Sequence, residues 1–418
     1  MGKEITDNFH RHTRLIFSLY KLLESPLGSL FGLFAVILYT DLHATPLQIT
    51  ILVSSKPAVA LLSFYGNLFI NNKTSKLKLM ILVFVFLGSI PCLLFPFIDN
   101  IWFMIFAHGL FMLSLRAVIP AWSEVLKINL ASDSRSKVFS RGSIVNYSTN
   151  IIIPLMISPL LDGYPYIWKW LFFAFAALNC LNVIVLLNLK LKNHVPETDS
   201  THPYQFNSLS SILIDPWKKG YKLIKERADF KYFQIVFMLC GAGLMLMQPA
   251  LPVFLKGTLQ LSYFQLTLAT SFCKGISFVL SSSPFWANLL GRISINLFNF
   301  YICCFAAIFS FFIIGSQHVL VSIYLAYLVY GIMQAGSELS WHLSGPIFAQ
   351  NKDSTLYTGV NVAAVGLRGC IAPFIGDLLL FSTGSTSVVF ICGGSLCLMA
   401  SFYSLWLYRQ KSKVLQNQ

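Results

Sequence analysis

Uncharged apolar runs of about 20 residues recur along the whole chain. They include residues 79–98, 170–189, 232–255 and 293–317. A helix of about 20 residues crosses the roughly 30 Å hydrocarbon core of a bilayer. Only 11% of the residues are charged, whereas soluble domains carry about 25%. The chain is therefore predicted to be an all-α integral membrane protein, because a barrel would show short alternating segments instead.

Twelve transmembrane helices are expected from these runs. The predicted spans are 15–40, 47–70, 79–98, 101–126, 138–161, 168–189, 232–255, 264–290, 293–315, 319–342, 356–381 and 388–408. Most of the 30 lysines and arginines then lie on one side, and basic loops stay in the cytoplasm. Both termini are predicted to be cytoplasmic, in a bacterial inner (plasma) membrane. Because the net charge of +14 follows these loops, lipid rather than nucleic acid is the expected partner.

A polar linker at 190–231 divides the predicted spans into two six-helix halves, 1–189 and 232–418. The second part of the linker has Trp217, Tyr221 and Ile224 on one helical face and lysines on the others. This pattern is typical of a helix that lies on the inner membrane surface.

The two halves can be aligned with each other. The segment Thr45–Thr50 matches Ser262–Thr267 with a shift of 217 residues (262 minus 45), and Lys56 matches Lys274 with a shift of 218 (274 minus 56). A duplication is predicted because the order of the spans repeats with these matches. The alternative is chance, since any long hydrophobic chain yields a few matching letters.

Six charged residues lie well inside the predicted spans. The cations are Lys56, Arg116, Lys274 and Arg368, and the acids are Glu24 and Glu338. A cation near the bilayer centre costs at least roughly 2.5–3.5 kcal/mol, so it normally faces a partner, a wet cavity or a substrate. Lys56 and Lys274 both fall near the midplane, where secondary transporters hold their substrate. The two lysines bind an anion, or each pairs with an acid such as Glu338 or Asp377 and fixes the helix packing, or the predicted spans are misplaced.

The other charged residues each have two interpretations. Arg368 either binds an anion bidentately or bonds neighbouring backbone carbonyls. Arg116 and Glu338 could form a salt bridge between the halves, which either opens during transport or is static. Glu24 is a candidate proton carrier, and the alternative is a structural pair with Lys21 or Arg116.

Polar and aromatic residues in the spans add weaker candidates. Gln248 and Trp341 could supply polar and stacking contacts to a substrate, although such residues are more often packing features. The nine cysteines include no C-x-x-C pair, and the histidines show no HExxH spacing. Neither a metal nor a cofactor is expected, and no phosphate-binding glycine loop indicates ATP hydrolysis.

Six plus six spans with inside termini resemble the major facilitator superfamily of secondary transporters. That family carries a G-x-x-x-D-R-x-G-R/K loop pattern, which the segment 284–292 resembles, with Asn288 in the aspartate position followed by Gly291 and Arg292. The first copy, 66–73, keeps only the glycine and basic residues. The resemblance implies that these loops take part in gating on the cytoplasmic side.

Two further segments resemble patterns of the same family. Residues 116–120 resemble its R-x-x-x-G pattern, with Pro120 in place of the glycine, and this resemblance implies proton coupling through Arg116. Span eleven contains Gly366, Gly369, Pro373 and Gly376. Small residues allow helices to approach closely, and proline allows bending.

The function predicted from these features is secondary transport of a small organic anion by alternating access. The solute would be a carboxylate or a phosphate-bearing metabolite, transport would be coupled to protons, and the protein would be a monomer rather than an enzyme. The alternative within the same fold is a multidrug exporter that takes amphipathic solutes. A non-transporting receptor and an intramembrane enzyme are the remaining alternatives.

Overall fold

The computed structural model describes residues 2–62, 74–130, 132–191, 209–350 and 354–416. Within these ranges the chain is helical and contains no strand. Seven described helices are long and apolar enough to cross a membrane, or eight if the bent pair Phe9–Phe31 and Phe34–Asp41 is one span. Two of the twelve expected spans correspond to shorter apolar helices, Pro46–Leu61 and Leu77–Leu93. The all-α membrane class is confirmed, and the count of twelve stays a prediction.

The helices follow the chain in a simple order. They are α1 (Gly2–Phe31), α2 (Phe34–Asp41), α3 (Pro46–Leu62), α4 (Thr74–Leu93), α5 (Ile101–Asn129), α6 (Ser132–Gly163), α7 (Ile167–Cys180), α8 (Asn182–Leu187), α9 (Leu209–Glu226), α10 (Ala228–Leu246), α11 (Ala250–Pro252), α12 (Tyr263–Thr267), α13 (Lys274–Ser281), α14 (Asn288–Leu290), α15 (Ile295–Gly315), α16 (Val321–Ala349), α17 (Thr355–Thr383) and α18 (Thr386–Gln416). Three π-helical segments also occur, at Val253–Thr258, Leu268–Cys273 and Ser282–Ala287. π-Helical turns are rare in proteins, and those that occur are often found at functional sites.

The chain forms two compact units, each with its own contacts. They are Met1–His43 with Tyr65–Asn207, and Ala44–Phe64 with Ser208–Gln418. The expected division at the linker put α3 in the first half, whereas the structure groups it with the second unit. The reason is that α3 packs along α17, since a Cβ at Gly366 would lie 2.5 Å from Leu61 Cδ2 and one at Gly369 would lie 2.2 Å from Pro57 Cβ. The close approach expected from the glycines of span eleven is therefore observed.

Aromatic rings fill the core of the first unit. Phe34 from α2 stacks on Phe95 with 5.8 Å between ring centroids and also meets Trp168 and Phe172 of α7. All four side chains are fully buried. Because offset and edge-on ring pairs each add to the energy of burial, this cluster joins α2 and α7 to the chain just after α4.

An ion pair in the first unit joins Lys169 at the start of α7 to Asp99. The Lys169 side chain is 11% exposed, whereas that of Asp99 is 71% exposed. The ammonium also lies 5.0 Å from the ring centroid of Tyr166. The lysine is thus held by a ring as well as by an acid.

Replacing Asp99 with asparagine is expected to lower the free energy of unfolding by only about 1 kcal/mol or less, because exposed ion pairs are weak and the ring contact persists. The midpoint of thermal unfolding in detergent measures the effect. Glu124→Gln is the matched control, since Glu124 lies 3.6 Å from Lys127 in a more exposed pair. A loss of several kcal/mol in the Asp99 variant would show that the pair is a structural clamp.

Helix α9 packs against α17 and the start of α10 within the second unit. A Cβ at Gly220 would lie 3.1 Å from Val360 Cγ2, and Ile224 packs against a buried cluster that contains Phe230. Tyr221 is 71% exposed. Ile224 thus has an apolar partner at the start of α10, and the position of α9 on the membrane surface stays a prediction.

Candidate functional site

Lys56 and Lys274 both belong to the second unit. Lys56 lies in α3 and is followed by Pro57, which has no N–H and so leaves the carbonyl of Val53 without its helical hydrogen bond. Lys274 is the first residue of α13. The charge of Lys56 acts on Lys274, so the two ammonium groups lie within electrostatic range of each other.

The two helical segments that carry these lysines begin with the same arrangement of N-terminal capping hydrogen bonds. The backbone N–H of Thr45 donates to Gln48 Oε1 at 2.9 Å, and the N–H of Gln48 donates to Thr45 Oγ1 at 3.3 Å. The N–H of Ser262 donates to Gln265 Oε1 at 3.0 Å, and the N–H of Gln265 donates to Ser262 Oγ at 3.1 Å. Both are reciprocal capping boxes. The matched segments of the predicted repeat therefore share structure as well as letters.

A π-helical segment explains why the shift between the matched segments changes by one. Lys56 is 11 residues after Thr45 (56 minus 45), and Lys274 is 12 residues after Ser262 (274 minus 262). The segment Leu268–Cys273 is π-helical and ends directly before Lys274. A π turn bonds i to i+5 and so holds one residue more than an α turn. It takes up the extra residue before the lysine.

Helix α16 brings an acid toward Lys274. Gly331, Gln334 and Glu338 lie at i, i+3 and i+7 on one face of this helix, because residues at these spacings are neighbours on a helix surface. Gln334 Nε2 donates to Glu338 Oε1 at 3.2 Å. Glu338 is the acid whose charge acts on Lys274. The cluster of Lys56, Lys274 and Glu338 is called the lysine cluster below.

Gly331 fixes the distance between α13 and α16. A Cβ at this position would lie 2.0 Å from Ser277 Oγ and 2.2 Å from the carbonyl oxygen of Lys274. The backbone of α13 therefore touches α16, and any larger residue would push the two helices apart. Glu338 lies seven residues further along α16, about 10.5 Å along its axis.

Arg368 occupies a different place in the second unit. Its Nη1 donates to the carbonyl of Phe237 at 2.5 Å, and the guanidinium carbon lies 4.2 Å from the centroid of the Phe237 ring. A Cβ at Gly241 would lie 2.0 Å from that carbon, so this glycine makes the space for the guanidinium. The titratable side chain that acts on Arg368 is Cys240, and no residue of the lysine cluster does so. Of its two interpretations, the backbone contact is the one observed.

Glu24 lies in the first unit and is held by two neighbours. It accepts from Lys21 Nζ at 2.5 Å and from the hydroxyl of Tyr20 at 2.8 Å, and it is only 7% exposed. The expected alternative pairing with Lys21 is therefore present. Arg116 is half-buried in α5 of the same unit. Glu338 belongs to the other unit.

The comparisons with known proteins give the family. A family model described as the Major Facilitator Superfamily matches residues 25–351. The chain belongs to the major facilitator superfamily. As a member of that superfamily it is a multi-pass secondary transporter and not an enzyme. No curated protein sequence matches it.

Solved structures share the fold of this superfamily member at low sequence identity. A point mutant of the nucleoside transporter NupG has a TM-score of 0.72 at 17% identity, covering 95% of this chain and 100% of that chain. A POT family transporter in complex with 5-aminolevulinic acid has a TM-score of 0.72 at 12% identity and covers 96% of both. A bacterial homolog of the human lysosomal transporter Spinster has a TM-score of 0.66 at 10% identity, covering 96% and 97%. These likenesses support the fold alone.

The loop-motif residues of this transporter follow the last π-helical segment. Asn288 begins α14, and Gly291 and Arg292 lie in the turn after it. All three are exposed. The first copy of the motif, at 66–73, lies outside the described residues.

Gln248 and Trp341 lie in different environments. Gln248 is half-buried in the turn between α10 and α11. The ring of Trp341 stacks on that of His342 with 5.7 Å between centroids, and the carbonyl of Trp341 accepts from the hydroxyl of Ser344 at 3.0 Å. Neither side chain is charged, and neither is among the groups that act on Lys274. Their role in substrate binding stays a prediction.

Two residues of the site were missed by sequence reasoning. Gln334 bonds Glu338, and the charge of Glu338 also acts on Tyr330. The spacing of four between Gln334 and Glu338 was a usable signal, because i,i+4 polar pairs meet on a helix surface. Asp377, which was considered as a partner for the lysines, is not among the groups that act on Lys274.

Proposed function

We propose that this superfamily member moves a small organic anion, either a carboxylate or a phosphate-bearing metabolite, by alternating access. The observation that carries the proposal is the composition of the lysine cluster. The charged groups that act on Lys274 are one further cation, Lys56, and one acid, Glu338. Two cations and one acid leave an excess positive charge inside a membrane protein, and an anionic solute would neutralise it.

The residue types suit a site that must release its ligand. A lysine ammonium is a compact, strongly hydrated point charge, whereas an arginine fork binds an anion bidentately and holds it more rigidly. Glu338 lies on the face of α16 that also contacts α13 through Gly331. We infer that Glu338 takes the charge of Lys274 when the solute leaves, so that the ammonium does not stand alone in a low dielectric.

Proton coupling through Glu24 is the second part of the proposal. The carboxylate is buried and paired with Lys21. A proton on Glu24 would remove the negative charge and with it the attraction to the ammonium, so this pair can serve as a two-state element. Arg116, from the resemblance, is proposed to act in the same step.

The finer architecture is also a proposal. We propose twelve spans with both termini in the cytoplasm of a bacterial inner membrane, and a monomeric chain. The matching capping boxes at Thr45 and Ser262 support a duplication whose copies are joined by the linker at 190–231. Substrate contacts of Arg368, Gln248 and Trp341, and gating by Asn288, Gly291 and Arg292, are proposals of lower rank.

The test is the thermal stability of the purified protein against a panel of anionic, neutral and cationic metabolites. A ligand at 100 times its dissociation constant adds about 2.7 kcal/mol to the free energy of unfolding. Stabilisation by anions is expected, and it should be lost in Lys56→Gln and in Lys274→Gln. Lys222→Gln is the matched control, because this lysine is 75% exposed and lies 3.8 Å from Glu226 in α9.

The opposite result has a definite meaning. If lipophilic cations stabilise the protein and the two lysine variants respond like the wild type, the lysines are structural and the protein is a multidrug exporter. If no solute stabilises the folded protein and none accumulates in proteoliposomes, the transport proposal itself is wrong.

A further inference from the structure

A small cavity lies inside the second unit, away from the residues assigned above to the lysine cluster. Its volume is about 40 Å³, and its lining comes from α10, α15, α16 and α17. The polar part of this lining includes Cys240, Asn299, Ser337 and Arg368. A cavity needs about 10–15 Å³ to hold one water molecule. There is room here for a monatomic ion with one or two waters.

The guanidinium of Arg368 brings a charge to this cavity without an acid to balance it. Among the ion pairs of the described residues, none includes Arg368. Its Nη1 donates to the carbonyl of Phe237, whereas its Nε is buried and has no hydrogen-bond partner within the described parts of the chain. An isolated charge in a low dielectric is costly unless it is paired and hydrogen-bonded.

The rest of the polar lining can donate hydrogen bonds toward the same space. The hydroxyl of Ser340 donates to Asn299 Oδ1 at 2.8 Å, so the carboxamide oxygen is occupied and its NH₂ is the group left to donate. Ser337 adds a hydroxyl, and Cys240 adds a thiol. The described residues that line the cavity include no carboxylate. A guanidinium with an amide, a hydroxyl and a thiol is a donor set for an anion.

We propose that this cavity binds a monatomic halide, with chloride as the physiological ion. The guanidinium of Arg368 would be its charged ligand, and Asn299 and Ser337 would complete the site. The volume favours a halide over sulfate or a carboxylate metabolite. The cavity would therefore hold an accompanying inorganic ion and not a second substrate. The bound ion would join α17 to α10, because Arg368 belongs to the first helix and the cavity wall at Gly241 to the second.

The competing source of negative charge is the thiol of Cys240. Its sulfur is close to those of Cys303 and Cys397, and Cys397 Sγ contacts the Cys240 carbonyl at 3.5 Å. If Cys240 were a thiolate, it would neutralise Arg368 and no halide would be needed. The two possibilities differ in which protein binds chloride: the wild type if the thiol is protonated, and only Cys240→Ala if a thiolate already neutralises Arg368.

Two measurements on the purified full-length protein test the proposal. The first is equilibrium binding of radioactive chloride. The second is the thermal unfolding midpoint as sodium chloride replaces sodium gluconate at constant ionic strength. We expect saturable chloride binding and a saturable rise of the midpoint, on the order of a few degrees. Bromide should reproduce the rise, and sulfate should not.

Variants assign the effect to the cavity. Arg368→Gln should lose both chloride binding and the chloride-dependent rise, and in gluconate its midpoint should exceed that of the wild type because an unbalanced charge is gone. Ser337→Ala should bind chloride several-fold more weakly while folding normally, which keeps the test usable if the arginine variant does not fold. Arg409→Gln is the control, since Arg409 is exposed on α18. Cys240→Ala should keep the chloride effect.

Three results would overturn the proposal. One is the absence of any saturable halide binding by the wild type. Another is binding that persists unchanged in both the Arg368 and the Ser337 variants, which would place the ion elsewhere. The third is chloride binding that the wild type lacks and that appears only in Cys240→Ala, which would make the thiolate the partner of Arg368. The proposal for the lysine cluster is tested separately, with organic solutes and with the Lys56 and Lys274 variants.

Discussion

Replacing Lys274 with glutamate is expected to lower the transport of the anionic solute at least about 100-fold. The change turns a cluster of two cations and one acid into one cation and two acids. Two unit charges 4 Å apart interact by about 4 kcal/mol at an effective dielectric constant of 20, and each 1.4 kcal/mol is a factor of about ten. Removing one attraction and adding one repulsion therefore costs more energy than a loss of transport of about 100-fold requires. Initial uptake rates in proteoliposomes measure it.

A charge swap separates this effect from misfolding. The double variant Lys274→Glu with Glu338→Lys restores two cations and one acid in exchanged positions, and we expect it to recover part of the lost transport. Lys222→Glu on α9 is the control for a change of net charge on an exposed lysine. Uptake that stays at the wild-type level in folded Lys274→Glu protein would remove the lysine cluster from the transport pathway.

Replacing Gly376 with alanine is expected to destabilise the protein by about 3 kcal/mol. A Cβ at this position would lie 1.9 Å from the backbone carbonyl oxygen of Leu246. Because the obstacle is backbone and not a flexible side chain, α17 has to move away from the end of α10. In a bilayer, helix association depends on van der Waals packing of this kind rather than on a hydrophobic drive. The free energy of unfolding in denaturant gives the loss.

Gly109 provides a control with the opposite sign. It lies within α5, and a Cβ there would have no atom of the described residues within 4 Å. Gly109→Ala is therefore expected to stabilise the protein by about 0.5–1 kcal/mol, because alanine loses less backbone freedom than glycine in a helix. Equal effects of the two alanine substitutions would mean that Gly376 does not set the distance between α17 and α10.

Part of the site could be predicted from the sequence because its signals are local. A charged residue in an apolar run is visible without a structure, and that signal was sufficient to select Lys56, Lys274 and Glu338. The glycines of span eleven were recognised in the same way. Their contacts with Pro57 and Leu61 agree with the expectation of close packing.

Other features could not be predicted because they depend on which helices meet. The sequence pairs α3 with the first half by order alone, whereas its packing along α17 places it in the second unit. Apolar spans have little periodicity, so the change of shift from 217 to 218 showed that one residue is added before Lys274 but not that a π-helical segment holds it. The space that Gly241 makes for Arg368 depends on two helices more than 100 residues apart in the chain. Burial of that arginine beside a backbone carbonyl was one of two interpretations, and only packing selects between them.

The π-helical segment before Lys274 also bears on how the two halves should be compared. One residue added to an α-helix would rotate everything after it by about 100°, since a turn holds 3.6 residues. The segment Leu268–Cys273 confines the added residue to a single turn, so the lysine keeps its place although its span has grown. An alignment of the halves therefore needs a one-residue gap there, and without it Lys56 would be set against Cys273 and the matching charge in the two halves would be overlooked.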